Sequence, residues 1–302
     1  FRDLGADVRQ AHGMMLARAK RLKGTRIYLD PRFASVGTTL NLLMAASLAQ
    51  GTTILENASR DPDVVETAYL MLAAGAQIDG LGTSTMVIDG VDRLTGPIEY
   101  RVGGDRIEAG TYLVGAAVTQ GDVTVTDIEP GRLERVIERF LDAGLDVHVG
   151  VDRIRVIAHR RPKAIDLVTA PYPGFPTDLQ PPFAAMASIA DGKSVFEEAI
   201  FDGRLSYMDE LRRMNAEIKR VRNIAVIQGV KQLSSAPVRA PDLRAGAALI
   251  LAALNAEGTT EITGVESVDR GYERLDEKLT SIGADVRRVP VLHSLAAAEL
   301  GA

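Results

Sequence analysis

The sequence predicts an α/β protein assembled from a repeated unit rather than folded around one doubly wound sheet. The first observation behind this is length: 302 residues can bury a large core and suffice for about two domains. The second is recurring punctuation, since helix-like apolar stretches end at Gly51, Gly121, Gly192 and Gly258, spaced by 70, 71 and 66 residues by subtraction. The third is that a β-branched stretch follows each of these glycines. Self-similarity at such a period marks an array of supersecondary units.

Residues 1–29 read as the tail of an earlier unit, because Leu4-Gly-Ala-Asp-Val8 returns as Ile282-Gly-Ala-Asp-Val286. In the next unit the apolar run Leu42-Leu-Met-Ala-Ala-Ser-Leu-Ala49 predicts a helix and Thr52-Thr-Ile-Leu55 a strand. Val64-Val-Glu-Thr-Ala-Tyr-Leu-Met-Leu72 has the apolar spacing of an amphipathic helix. Ala76-Gln-Ile-Asp79 and Thr85-Met-Val-Ile88 close the unit as two strands across Gly80-Leu-Gly82. The second unit repeats the order with the strand Val123-Thr-Val-Thr126 and the amphipathic helix Leu133-Glu-Arg-Val-Ile-Glu-Arg-Phe-Leu141. The third carries the apolar helix Pro182-Phe-Ala-Ala-Met-Ala-Ser-Ile-Ala190 and the strand Ser194-Val-Phe196; the fourth carries the strand Thr259-Thr-Glu-Ile262. The amphipathic helices stop at Gly75, Gly144, Asn215 and Gly283, residue types that accept the left-handed conformation most cheaply. Four complete units, each helix, strand, helix, strand, strand, and part of a fifth are therefore expected.

Composition narrows the function. A hydrophobic content of 46% and a charged content of 25% are ordinary for a soluble globular protein. With no cysteine there is neither a disulfide framework nor a thiolate nucleophile, and His12, His148, His159 and His293 show no metal-ligand spacing. A net charge of −5 argues against broad binding to nucleic acid or to anionic membranes, so any anionic ligand must be caught by local arginines. No apolar run is long enough to span a bilayer and no signal peptide opens the chain, which is read as cytoplasmic. Because it starts at Phe1 without Met, the chain reads as N-terminally truncated.

The most informative segment is Thr169-Ala-Pro-Tyr-Pro-Gly-Phe-Pro-Thr-Asp-Leu-Gln180. Pro171, Pro173 and Pro176 fix φ and remove donors, so this is a stiff aromatic loop, neither helix nor central strand. It brings Thr177 and Asp178 to the start of the apolar helix that follows. There they read either as N-caps after a proline-rich turn or as functional groups. Equivalent helix starts in the other units carry Ser35-Val-Gly37, Asp105-Arg-Ile107 and Asp242-Leu-Arg244, and the strand-to-helix loops carry Arg60, Arg132, Arg204 and Arg270. Units packed in one orientation would gather these on a shared edge, where helix N-termini and arginines together form an anion site.

At these residues the chain resembles the enolpyruvyl transferases, in particular the branch that acts on a UDP-linked amino sugar. Arg161-Pro-Lys-Ala164 with the proline-aromatic loop carries most of the resemblance. Asp242-Leu-Arg-Ala-Gly-Ala-Ala248, Asp269-Arg-Gly-Tyr-Glu-Arg274 and Leu48-Ala-Gln-Gly-Thr-Thr-Ile-Leu-Glu-Asn57 add to it, and together they run from about Phe1 to Val289. The resemblance implies an inside-out α/β barrel of βαβαββ-type units in two domains, here 1–103 (truncated) and 104–302 with a short C-terminal extension at Leu292–Leu300. It implies transfer of the enolpyruvyl group of phosphoenolpyruvate to the 3-hydroxyl of UDP-N-acetylglucosamine with release of phosphate, without metal or organic cofactor. That is the first committed step of peptidoglycan synthesis, and with it of cell wall biogenesis, cell shape and cell division. By position, Asp178 matches the base near that hydroxyl and Ser35, Val36 and Gly37 the cradle of the diphosphate. Ile200 matches an apolar contact to the sugar nucleotide, and Arg204, Arg244 and Arg270 the groups that hold phosphoenolpyruvate and phosphate.

The departures from the family pattern are Tyr207 and Gly203, where His and Asn are common, and Pro181-Pro182, where polar residues are common. A Lys-Asn pair and a mobile loop with a Cys or Asp have no counterpart and would precede Phe1, so the chain alone is expected to lack the complete active site. Two rival readings are the sister transferase acting on shikimate 3-phosphate, whose motifs do not match the proline-aromatic loop, and a non-catalytic repeat scaffold.

Overall fold

The computed structural model describes residues 1–30, 32, 34–96 and 99–290. A hairpin of β1 (Asp7–Ala11) and β2 (Met14–Arg18) opens the chain. The next unit runs β3 (Arg26–Tyr28), α1 (Val36–Ala46), β4 (Thr52–Glu56), α2 (Pro62–Ala73), β5 (Gln77–Asp79), β6 (Thr85–Asp89). Then come α3 (Arg106–Thr119), β7 (Asp122–Thr126), α4 (Glu134–Asp142), β8 (Asp146–Val149) and β9 (Arg153–Ile157). The third unit is β10 (Leu167–Val168), α5 (Gln180–Ile189), β11 (Lys193–Glu197), α6 (Met208–Arg213), β12 (Glu217–Val221), β13 (Ile224–Gln228). The fourth is β14 (Val238–Arg239), α7 (Leu243–Asn255), β15 (Ile262–Thr263) and α8 (Leu275–Ser281).

The repeat is visible in the sheets. One sheet has the order β3-β4-β6-β5 and another β10-β11-β13-β12; the second unit gives β7-β9-β8 and the fourth β14-β15. In each, the strand before the buried helix pairs parallel with the strand after it, where both exist, and the closing strands pair antiparallel. The predicted helix stops Gly75, Gly144, Asn215 and Gly283 all have positive φ. Of the turn glycines, Gly51, Gly192 and Gly258 do too, whereas in the second unit the left-handed residue is Gln120, one position before Gly121.

Three helices fill the interior. All ten residues of α5 are buried, as is most of α3 and α7, and the three pack on one another with the sheets outside them, an inside-out arrangement. The equivalent α1 buries only Thr39, Leu42, Leu43 and Ala46 and leaves Met44 exposed. Residues from Leu4 to Ile88 form one apolar core, and a separate larger one begins at Ile107. Phe183 of α5 sits between Phe140 and Phe175, with both centroids 5.0 Å away. Phe175 thereby pins the proline-aromatic loop to the core. Gly110 of α3 lets the loop's other end dock, since a Cβ there would lie 2.5 Å from Leu179 Cδ1.

Two expectations change. The fourth unit's strand, expected at Thr259–Ile262, is β15 at Ile262–Thr263. That unit was also expected to close with two strands, but no strand follows α8 among the described residues. The segment is held instead by ion pairs of Arg288 with Asp269 at 2.8 Å and Asp276 at 3.3 Å. The extension Leu292–Leu300 lies outside the described residues. No described helix is long and apolar enough to cross a membrane.

Candidate active site

The helix starts explain why one aspartate differs from its equivalents. Ser35 caps α1 by accepting from the Thr38 amide at 3.2 Å, Asp105 caps α3 by accepting from Ile107 at 2.7 Å, and Asp242 caps α7 by accepting from Arg244 at 2.9 Å. The expected cap at Thr177 and Asp178 does not form: residues 177–179 make a turn of 3-10 helix, and α5 begins with no side-chain cap. Pro181 and Pro182 follow Gln180 in its first turn and have no N–H to satisfy, so a capping oxygen has little to do there. The carboxylate of Asp178 is free for other partners.

Those partners are two arginines from successive units. Arg204 Nη2 lies 2.9 Å from Asp178 Oδ1, and Arg244 Nε and Nη2 both lie 3.1 Å from Oδ2. Both arginine side chains are largely covered, 10% and 13% exposed, while the Asp178 side chain is 36% exposed and opens to solvent. The Phe201 ring supports Arg204 at 5.1 Å and the Tyr272 ring supports Arg244 at 5.3 Å. Tyr272 is itself buried and bonded to Thr111 Oγ1 at 3.1 Å. Two positive charges on one carboxylate leave a net positive site, and Arg244 Nη1 is buried with no hydrogen-bond partner. An unmet donor beside excess positive charge suits an oxyanion.

Around this triplet the departures from the family pattern acquire reasons. Gly203 sits at φ 75°, a conformation that Gly and Asn both tolerate, and it starts the turn that carries Arg204. Tyr207 is buried and bonds through its hydroxyl to Gln180 Oε1 at 3.1 Å, just below Asp178 in sequence. Arg161 lies elsewhere: it donates to the carbonyls of Ile189, Ala190, Gly229 and Val230, clamping the C-terminal end of α5.

The loop before α2, within the first core's stretch of the chain, reaches the start of α3. Asp61 caps α2 and accepts from Arg106 Nη2 of α3 at 2.8 Å, both side chains buried. Ser59 donates its amide to Thr39 of α1 at 3.0 Å.

The predicted residues are not all brought together. Arg204 and Arg244 converge on Asp178. Ile200 is half-buried on the loop leading to Arg204, its amide donating to Glu198 Oε1 at 3.0 Å. Arg270 is exposed and its side chain makes no hydrogen bond among the described residues; it lies two residues before Tyr272, and Gly271 lies against the Arg244 guanidinium. Ser35 and Gly37 line a separate cavity of about 660 Å³ at the start of α1, with Tyr28, Leu29, Thr38 and Asn41. Of the arginines expected on one edge, Arg132 pairs with Glu66 and Glu129 instead, and Arg60 is exposed. The sequence reading missed Glu198 and Tyr272. Tyr272 stands inside the quoted Asp269–Arg274 run, and Glu198 continues the buried alternation Ser194, Phe196 of β11.

This geometry sets one aspartate between two arginines on a barrel of repeated units, and the family model that matches says which class the chain falls in: it belongs to the EPSP synthase (3-phosphoshikimate 1-carboxyvinyltransferase) family, matched over residues 1–279. Among curated relatives, UDP-N-acetylglucosamine 1-carboxyvinyltransferase 2 of Symbiobacterium thermophilum is 50% identical over 290 residues, covering 96% of this chain and 68% of the relative. UDP-N-acetylglucosamine 1-carboxyvinyltransferase of Geobacter metallireducens is 48% identical, covering 95% and 68%. Among solved structures, the enolpyruvyl transferase NikO from Streptomyces tendae superposes with a TM-score of 0.85 at 26% identity, covering 94% of this chain and 70% of that one. An EPSP synthase from Acinetobacter baumannii shares the fold at a TM-score of 0.69 and 21% identity, covering 95% and 69%.

Proposed function

We propose that the protein transfers the enolpyruvyl group of phosphoenolpyruvate to the 3-hydroxyl of UDP-N-acetylglucosamine and releases phosphate, in the cytoplasm, as the first committed step of peptidoglycan synthesis. The observation that carries this reading is Asp178 held between Arg204 and Arg244 on the proline-aromatic loop, in a chain about half identical to relatives named for that reaction.

In this reading Asp178 takes the proton of the sugar hydroxyl as its oxygen bonds to C2 of phosphoenolpyruvate, while C3 gains a proton from a second acid, the part the family resemblance assigns to the loop Cys or Asp. Loss of a proton from C3 and cleavage of the C2–O bond to phosphate then restore the double bond. Both Asp178 oxygens are occupied by arginine. The phosphate and carboxylate of phosphoenolpyruvate compete for those guanidinium groups, so arrival of the anion frees the base for the hydroxyl. Arg270 extends the positive surface, Ser35, Val36 and Gly37 take the diphosphate at the α1 start, and Ile200 contacts the sugar nucleotide. The reading divides the chain into domains 1–103 and 104–302, supported by the separate apolar cores on either side.

The test is phosphate release by the full-length gene product with phosphoenolpyruvate and either UDP-N-acetylglucosamine or shikimate 3-phosphate as acceptor. Turnover only with the sugar nucleotide is expected. Turnover only with shikimate 3-phosphate, or with neither, would overturn the assignment.

A further inference from the structure

We propose that Glu198 is a positioning residue for Asp178, a role that rests on the reaction assigned above and adds a residue to it. Glu198 is 3% exposed, a carboxylate on the inward-facing side of the strand line that β11 sets. Such a charge is tolerated inside only when hydrogen bonds replace its water. Here four do. Its Oε1 accepts from Thr169 Oγ1 at 2.8 Å and from the amides of Ile200 and Phe201 at 3.0 Å, and its Oε2 accepts from Thr177 Oγ1 at 2.9 Å.

These donors come from both sides of the site. Thr169 and Thr177 bracket the proline-aromatic loop, and Thr177 immediately precedes Asp178. Ile200 and Phe201 begin the loop that ends at Arg204, whose guanidinium rests on Phe201 and pairs with Asp178. The contacts close a ring: Glu198 to Thr177, along the chain to Asp178, across to Arg204, down to Phe201 and back to Glu198. The Thr169 hydroxyl donates to Glu198 and accepts from the Ala199 amide at 2.9 Å, locking the two segments at a second point. Every group facing the carboxylate is a donor. A glutamine of the same shape would keep Oε1 on its three donors and turn an N–H toward the Thr177 hydroxyl, which accepts it, so a charge-assisted bond at that end of the ring becomes a weaker neutral one.

The experiment uses Glu198→Gln, Glu198→Ala and Thr177→Val in the full-length gene product. The first readout is backbone amide exchange, which needs no substrate. In Glu198→Ala, exchange rises about tenfold or more at Ile200, Phe201 and across 172–179, while β12, β13 and α7 stay protected. The second is kcat for phosphate release. Glu198→Gln lowers it about tenfold to a hundredfold, the scale of a small misplacement of a catalytic group. The double variant Glu198→Gln with Thr177→Val is no slower than the slower of the two single variants, because both act through one contact. Unchanged exchange across 172–179, an unchanged kcat, or single effects that multiply in the double variant would each overturn the proposal. A wild type inactive on UDP-N-acetylglucosamine would overturn the functional reading instead, and amide exchange would still decide the role of Glu198.

Discussion

Replacing Asp178 with alanine is expected to move two measurements in opposite directions. Without the carboxylate there is no group to take the hydroxyl proton, and general-base catalysis contributes about 10²–10⁴ in rate. At about 1.4 kcal/mol per decade, that places the added barrier at roughly 3–5.5 kcal/mol. Meanwhile Arg204 and Arg244 lose the acceptor now 2.9–3.1 Å away. A unit charge pair at about 4 Å is worth about 4 kcal/mol at an effective dielectric of 20. Asp178 is 36% exposed, so solvent screening reduces the effective competition to the order of 1 kcal/mol. Inorganic phosphate should therefore bind the variant about fivefold more tightly while turnover falls at least a hundredfold. Calorimetric titration of phosphate and a coupled phosphate-release assay on the full-length protein measure the two effects. Turnover within threefold of wild type would remove Asp178 from the base role; weaker phosphate binding would refute the competition between the carboxylate and the anion.

Three further outcomes follow from the surrounding structure. Leu179→Ala empties the space beneath Gly110 and should cost about 2–5 kcal/mol, read as a lowered denaturant midpoint with an unchanged slope. Gly203→Ala should destabilise by about 1 kcal/mol because φ is 75°, and Gly203→Asn by less; equal melting temperatures for the two variants would contradict the left-handed assignment. Glu66 reports on the seam between the two cores, accepting from Arg132 at 3.0 Å, Tyr100 at 3.0 Å and the Gly103 amide at 3.1 Å. Burial pushes its carboxyl up, but Arg132, Tyr100 and Gly103 together hold it below the ordinary value of 4.5. A depressed carboxyl gives stability that is present above the unfolded value and lost as pH falls through the folded one. Glu66→Gln should therefore flatten the decline in melting temperature below about pH 4.5, and a parallel decline in both proteins would show that Glu66 contributes nothing there.

Much of this fold was legible in the sequence because the repeat is written in residues with strong backbone preferences. Gly75, Gly144, Asn215 and Gly283 mark four helix ends, and all four adopt positive φ. Asp178, Arg204 and Arg244 were legible through the family resemblance, but that both arginines converge on Asp178 is seen only in the structure, and Arg132, expected on the same edge, pairs with Glu66 and Glu129 instead. The closing strands of the fourth unit were misread because its tail repeats Ile-Gly-Ala-Asp-Val, yet Arg288 ties it to Asp269 and Asp276. Glu198 escaped because a Glu-Glu pair at a strand end looks solvated. Only the alternation of β11 places the second acid inside.

A repeat protein gains a functional site where one copy departs from the rule that the others keep. Ser35, Asp105 and Asp242 spend their side chains on helix N-termini, and a carboxylate bound to backbone amides is not available to a substrate. The third unit removes that demand by placing Pro181 and Pro182 in the first turn of α5, where they present no N–H. It then fixes the freed aspartate from outside the helix, through Phe175 in the core, Leu179 against Gly110, and Thr177 on Glu198. The prolines, which from local sequence looked like the context of a cap, thus make the cap unnecessary. Restoring the rule would undo the departure: replacing Pro181 and Pro182 with residues that carry an N–H gives Asp178 amides to cap, in direct competition with Arg204 and Arg244.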